Sequence, residues 1–238
     1  EHDTVIADWD EFVGWESPCM KIIDLTLPIE KRSGVEDVLR TEELRIVNRS
    51  GAYTGIVHHF QHDSMAGTYI DFPSHIKETD DGSDAANYPP ERLLRVKAAI
   101  IRLDRRDGSG KVSAAELAAG LKTKLPSPPG RPGGALIVNA LGRRRFDKIA
   151  LRSVYFGRDA VRWIIAQGFH LVIADIYESA SNPQNVFPAL FRAGIATVCH
   201  PINLHCLTGP EFFVTVLFPR FKGATQTPCR VLVEMNGG

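Results

Sequence analysis

Twice in the second half of this chain a helix-length apolar pattern ends in glycine and is followed at once by a short run of aliphatic residues. Arg158–Gln167 closes on Gly168 before Leu171–Asp175, and Phe187–Ala193 closes on Gly194 before Ile195–Cys199. Gly past the last helical residue supplies the left-handed turn that stops a helix, and an aliphatic run of four or five residues fits a strand buried on both faces. Repetition of that unit predicts an α/β fold in which helices cover a sheet.

The first half reads mainly as strands. Ile22–Leu27 is a short apolar run ended by Pro28, Thr54–Gln61 reads as another, and Ala98–Leu103 and Ala135–Asn139 are bounded by turn residues. Ser113 with Glu116 three residues on forms a capping box, which opens a helix through about Leu121, and the Pro/Gly-rich Pro126–Gly134 is a loop. Two late strands, Phe212–Phe218 and Arg230–Glu234, make the sheet mixed. Residues 1–20, acidic and carrying Trp9 and Trp15 without strand or helix spacing, are expected to form an extension ahead of one domain spanning 21–238.

Charge excludes some functions. The 28 Lys+Arg balance 28 Asp+Glu for a formal net charge of zero, so no global field draws the chain to nucleic acid or to an anionic membrane, and the expected partner is a small molecule. No apolar run approaches the eighteen or so residues of a membrane span. Cys19, Cys199, Cys206 and Cys229 show neither C-x-x-C spacing nor the density of a disulfide framework, which points to a reducing, cytoplasmic setting. The first residue is Glu rather than Met, consistent with a leader removed ahead of it.

Two motifs have ordinary explanations. Arg105 to Glu116 matches the Gly, apolar and Glu positions of a calcium-binding loop, but the first ligand position is a cation, so it is read as a turn before a capped helix. The run Arg143-Arg144-Arg145 is read as a solvated loop, with an anion-facing role as the alternative.

The stretch from His58 to His75 holds His58, His59, His62 and His75, half of the chain's eight histidines, with Asp63 and Asp71. Imidazole and carboxylate together can bind a metal or exchange protons near neutral pH, against the alternative of surface histidines on a strand.

Within it, Met65-Ala66-Gly67-Thr68-Tyr69-Ile70-Asp71-Phe72-Pro73-Ser74-His75 resembles the H-x-G-T-H-x-D-x-P-x-H signature of the cyclase family, which includes bacterial kynurenine formamidases and isatin hydrolases. The resemblance extends to Ile23-Asp24-Leu25-Thr26-Leu27-Pro28, to the strand ending at Asp175, to Gly194-Ile195 followed by Asn203-Leu204, and to Pro228-Cys229-Arg230-Val231. It implies the family's swivelling β/β/α-type fold, with a central mixed sheet, a small second sheet and flanking helices. It further implies a homodimer or homotetramer and hydrolysis of a C–N or C–O bond in a small amide, imide or lactone.

The departures are chemical. The family's two ligand histidines correspond to Met65 and Tyr69, and a soft thioether and a neutral phenol are poor ligands for Zn²⁺ or Mn²⁺. The resemblance leaves at most one Zn or Mn ion, on Asp71, His75 and Cys199, with His200 as the alternative to Cys199 if the alignment shifts by one. The family's catalytic histidine falls near Val186, where none is found. Replacement acid/base groups are Tyr69, Asp71 and His75, with Ser64, Met65, Glu178 and His200 as substrate contacts. Two alternatives stand beside hydrolysis: a metal-independent lyase, dehydratase or cyclising enzyme using Tyr69, Asp71 and His75, and a non-catalytic binding or scaffold protein.

Overall fold

The computed structural model describes residues 21–29, 39–121, 133–209 and 211–235. The expected extension over residues 1–20 and most of the expected Pro126–Gly134 loop lie outside them. In chain order the strands are β1 (Lys21–Asp24), β2 (Leu39–Asn48), β3 (Gly51–Phe60), β4 (Tyr69–Asp71), β5 (Val96–Arg102), β6 (Gly110–Val112), β7 (Ala135–Asn139), β8 (Val154–Phe156), β9 (Leu171–Ala174), β10 (Ala196–Cys199), β11 (Phe212–Leu217), β12 (Gln226–Pro228) and β13 (Arg230–Met235). The helices are α1 (Ala114–Gly120), α2 (Arg158–Ala166) and α3 (Val186–Arg192).

Nine strands form one mixed sheet in the order β1-β13-β11-β5-β7-β9-β10-β4-β12. Its centre, β5-β7-β9-β10, is parallel, and both flanks are antiparallel. Every residue of β7, β9 and β10 is buried, which is why these strands read as unbroken aliphatic runs: parallel strands covered on both faces have no solvent side on which to place a polar residue. One face, with Ile137, Ile173, Val198, Phe212 and Val214, packs on Leu25, Ile70 and Phe72. The other, with Leu136, Val138, Val172, Ala174 and Cys199, packs on Leu117 of α1, Val161 and Ile164 of α2, and Leu190 of α3.

Local signals place the helices. Ser113 Oγ accepts the Glu116 N–H at 3.3 Å while Glu116 Oε2 accepts the Ser113 N–H at 2.9 Å, completing the capping box that opens α1. Glu116 also pairs with Arg105, so the cation at the first position of the calcium-like loop is held by the loop's own last residue. Gly168 (φ 79°) and Gly194 (φ 70°) take the left-handed conformation just past α2 and α3.

Two strand boundaries differ from expectation by three residues. The first strand stops at Asp24 rather than Leu27, because Asp24 Oδ1 accepts the Thr26 N–H at 3.0 Å and turns the chain. The Thr54–Gln61 strand begins earlier, at Gly51, and pairs along all ten residues with β2, which the charged sequence of 39–48 concealed. This ribbon stands apart from the main sheet and leaves Leu39, Leu44, Ile46, Val47, Tyr53, Ile56, Val57 and Phe60 exposed. A second small sheet pairs β6 with β8.

Candidate active site

Strand β4 lies between β10 and β12, and the registers put two rows of side chains on the helix-covered face. Asp71 pairs with Thr197 on one side and Gln226 on the other, and Tyr69 pairs with Cys199 and Pro228. Ile70, between them, points into the opposite core. The turn before β4 is fixed sterically: Gly67 has φ 65°, and a Cβ there would lie 2.5 Å from the Leu27 carbonyl oxygen. Thr68 Oγ1 accepts the Leu27 N–H at 2.7 Å and donates to the His200 carbonyl at 2.8 Å, tying β1, β4 and the end of β10 together.

Asp71 is 3% exposed and its carboxylate takes three side-chain donors. Gln226 donates an amide N–H to Oδ1, and Oδ2 takes the Thr197 hydroxyl at 3.3 Å and the Cys199 thiol at 3.6 Å. Burial pushes the Asp71 carboxyl above its ordinary range, while these donors and the nearby His75 pull it back down. Ser64 Oγ donates to Gln226 Oε1, which sets the amide's orientation. The Gln226 amide also lies 3.3 Å from His75 Nε2, and the other ring nitrogen, Nδ1, faces Thr225 Oγ1 at 3.3 Å.

That arrangement does not fit a metal ion. Asp71 already takes donors from Gln226, Thr197 and Cys199, and the Gln226 amide contacts both Asp71 and His75 where an ion shared by the two would have to sit. Among the described residues no three His, Cys, Asp or Glu groups are placed to hold an ion, so the ligand set expected on Asp71, His75 and Cys199 is not assembled. His200 does not complete it, since its ring turns toward Tyr69 and Phe146.

Tyr69 and Cys199 open instead on a cavity of about 250 Å³ beyond the carboxyl ends of β9 and β10. Its other principal walls are Phe146, Arg152, Phe187 and His200. The His200 ring stacks on Phe146 (4.2 Å between centroids, 4° between planes) and meets Tyr69 edge-on at 5.1 Å. Burial, with the Cys199 and Asp71 groups behind it, pushes the Tyr69 phenol far above its ordinary range, while the Arg152 cation pulls the other way. The phenol is therefore a permanent hydrogen-bond donor at neutral pH. Tyr177 also lines the cavity, but its hydroxyl is engaged by the Val172 and Val198 carbonyls, each at 2.9 Å.

The expected site residues separate accordingly. Tyr69 and His200 face the cavity, exposed Met65 stands at it, and Asp71 lies behind Tyr69 and Cys199. His75 is exposed and braces Gln226 rather than lining the cavity. Ser64 likewise holds Gln226. Glu178 lines the cavity, but its carboxylate accepts the N–H groups of Ser179, Gln184 and Val186 and so shapes the following loop. His58 and His59 sit on the ribbon, His59 paired with Glu42 at 3.0 Å, and His62 lies in the exposed segment after it, so with exposed His75 all four clustered histidines are surface groups. Sequence reasoning missed Gln226 and Arg152, neither of which has a residue type or spacing that marks a ligand or a base.

The Cyclase family model matches residues 23–179. No curated protein matches the sequence. Among solved structures, isatin hydrolase A from Labrenzia aggregata, bound to benzyl benzoate, is 16% identical with TM-score 0.64, covering 92% of this chain and 94% of that one. A structure described as a predicted metal-dependent hydrolase from Bacillus stearothermophilus is 19% identical with TM-score 0.62, covering 90% and 98%. Isatin hydrolase A from Ralstonia solanacearum is 15% identical with TM-score 0.62, covering 91% and 92%. These likenesses establish a shared mixed α/β fold, and together with the matched span they identify the chain as a member of the cyclase family.

Proposed function

We propose that this cyclase-family chain is an enzyme that hydrolyses a C–N or C–O bond of a small amide, imide or lactone in the Tyr69 cavity. The observation that carries the reading is the convergence of Tyr69, Arg152 and His200 on one cavity beyond the carboxyl ends of parallel strands, where open α/β sheets place their ligands. The names of the similar structures, isatin hydrolase and metal-dependent hydrolase, support bond hydrolysis as the reaction class.

The chemistry follows from the groups that line the cavity. Neutral Tyr69 donates a hydrogen bond to the carbonyl oxygen as it gains negative charge, with the Arg152 cation adding to the same field. His200 takes a proton from the attacking water, the water oxygen bonds to the carbonyl carbon, and the imidazolium returns the proton to the departing nitrogen or oxygen. Asp71 is a positioning group, holding Thr197 and Cys199 through their donated hydrogen bonds. No step is routed through a metal, because the donor set does not fit one.

A panel of small amides, imides and lactones tests the reading, with Tyr69→Phe as the diagnostic variant and solvent ¹⁸O as the label. Hydrolysis places solvent oxygen in the product. Turnover without incorporation supports the metal-independent lyase, dehydratase or cyclising alternative, which the loss of both ligand imidazoles at Met65 and Tyr69 also favours. A folded protein that turns over nothing in the panel overturns the hydrolytic reading and points to a binding or scaffold role.

We further propose that the chain is a homo-oligomer in which a second copy covers the β2–β3 ribbon. A two-stranded ribbon is at best marginally stable alone, and this one exposes apolar side chains on both faces.

A further inference from the structure

Asp175 lines both the Tyr69 cavity and a second one, of about 160 Å³, formed by the end of β7, the loop after it and the loop after β10. Asn139, the last residue of β7, lines it and is 3% exposed, yet its Oδ1 finds no hydrogen-bond partner among the described residues. An unpaired buried acceptor costs about 1–3 kcal/mol, so an amide kept at a cavity wall in that condition calls for a donor that arrives from the cavity.

The opposite wall is cationic. Gly142, at φ 65°, turns the chain so that three arginines follow at the cavity. Arg144 is held by Asp104 and the Arg105 carbonyl, and Arg145 is held by both carboxylate oxygens of Asp147. Arg143 has no ion pair or hydrogen bond among the described residues, is exposed, and lines the cavity with His205 from the other loop. Asp175, pushed up to about 7 by burial, carries reduced negative charge near neutral pH and does not oppose an anion strongly.

We propose that this second cavity binds a small carboxylate that also carries a hydroxyl or amino group, with the carboxylate on Arg143 and His205 and the donor on Asn139 Oδ1. The volume equals that of about five waters, which suits an acid of glycolate or lactate size. The inference goes beyond the hydrolytic reading and does not depend on it, since none of Tyr69, Arg152 and His200 lines this cavity.

Calorimetric titration of the whole chain with glycolate tests it, with acetate as the probe that lacks the donor and glycolamide as the probe that lacks the charge. Saturable glycolate binding is expected, weaker by about tenfold for acetate and for glycolamide, and weaker by about tenfold in the surface variant Arg143→Ala. Asn139→Leu is expected to lower glycolate to the level of acetate; should that variant misfold, Arg143→Ala and the probe series still decide. Leu151→Trp, which fills part of the Tyr69 cavity, is expected to leave glycolate binding unchanged. Failure of glycolate to saturate, binding that Arg143→Ala leaves intact, or binding abolished by Leu151→Trp would each overturn the proposal. None of these outcomes bears on turnover in the amide and lactone panel.

Discussion

Gln226 donates a side-chain N–H to Asp71 across the register pair that joins β12 to β4. Replacing the amide removes a donor from a buried, charged acceptor, so Gln226→Leu is expected to lose about 2 kcal/mol of folding stability at neutral pH. Gln226→Glu sets a second carboxylate against the first and is expected to lose more at neutral pH, recovering as acid protonates the pair. Urea unfolding of both variants across pH checks this. Equal losses for Leu and Glu at neutral pH would mean that Asp71 is not charged in the folded protein.

Zinc is expected to leave the protein unaffected. A ligand that binds only the folded state raises stability by RT ln(1 + [L]/Kd), so a competent site saturated a hundredfold over its Kd would add about 2.7 kcal/mol. With Gln226 already donating to Asp71 and in contact with His75, neither Zn²⁺ nor Mn²⁺ is expected to shift the melting temperature, and chelator treatment is expected to leave turnover unchanged. Elemental analysis that finds one metal per chain, lost in His75→Ala, would refute this.

Tyr69→Phe removes only the phenol hydroxyl of a residue that lines the cavity. On any substrate the panel identifies, the variant is expected to lose about 10²–10³-fold in kcat, the scale of one oxyanion donor, with KM little changed. Steady-state kinetics with a melting curve beside them decide the matter: an unchanged kcat in a folded variant would remove Tyr69 from the chemistry.

Much of the fold is legible because its signals are local. The Ser113–Glu116 box spans three residues, and Gly168 and Gly194 stop helices through their own backbone. The site is less legible because its contacts are remote. Gln226 stands 155 positions from Asp71 and 151 from His75, and its amide resembles neither a ligand nor a base in sequence. The histidine cluster misleads for the converse reason: neighbours in sequence diverge in space, with His58 and His59 on the ribbon and His75 beside Gln226. The resemblance sets Met65 and Tyr69 against two ligand histidines, but the Gln226 amide on the Asp71 carboxylate appears only when β12 is laid beside β4.

Asp175 gives stability a distinctive pH dependence. Its carboxyl accepts the Ala140 and Leu141 N–H groups at 2.9 and 3.0 Å, yet burial dominates and raises its pKa from 3.8 to about 7. A folded carboxyl raised above its unfolded value binds the proton more tightly when folded. Its stabilising contribution is therefore complete below pH 4 and disappears as pH rises to about 7, by about 4 kcal/mol at most. Asp175→Asn cannot titrate, so the difference between wild type and variant is expected to shift in the variant's favour from pH 5 to pH 8. Denaturant titrations at those two pH values measure it, and a constant difference would show that Asp175 is ionised throughout.

The ribbon carries the last prediction. Ile56 and Phe60 lie on one face of β3, beside Leu39 and Val47 of β2, while Tyr53 and Val57 share the other face with Leu44 and Ile46. Ile56 is 62% exposed and Phe60 71%, values that leave side chains of this size in water unless another chain covers them. Closed two-fold assembly is the commonest way to cover such a surface, and it would bury both faces against the same elements of a second copy. Ile56→Lys with Phe60→Ser keeps the backbone pairing but removes the apolar cover, and is expected to convert an oligomer to monomer by light scattering while the main sheet stays folded. Because the ribbon leads directly into the turn that carries Met65 and Tyr69, turnover should fall with dissociation and return with protein concentration. A wild-type chain that is monomeric at all concentrations would exclude a second copy as the cover.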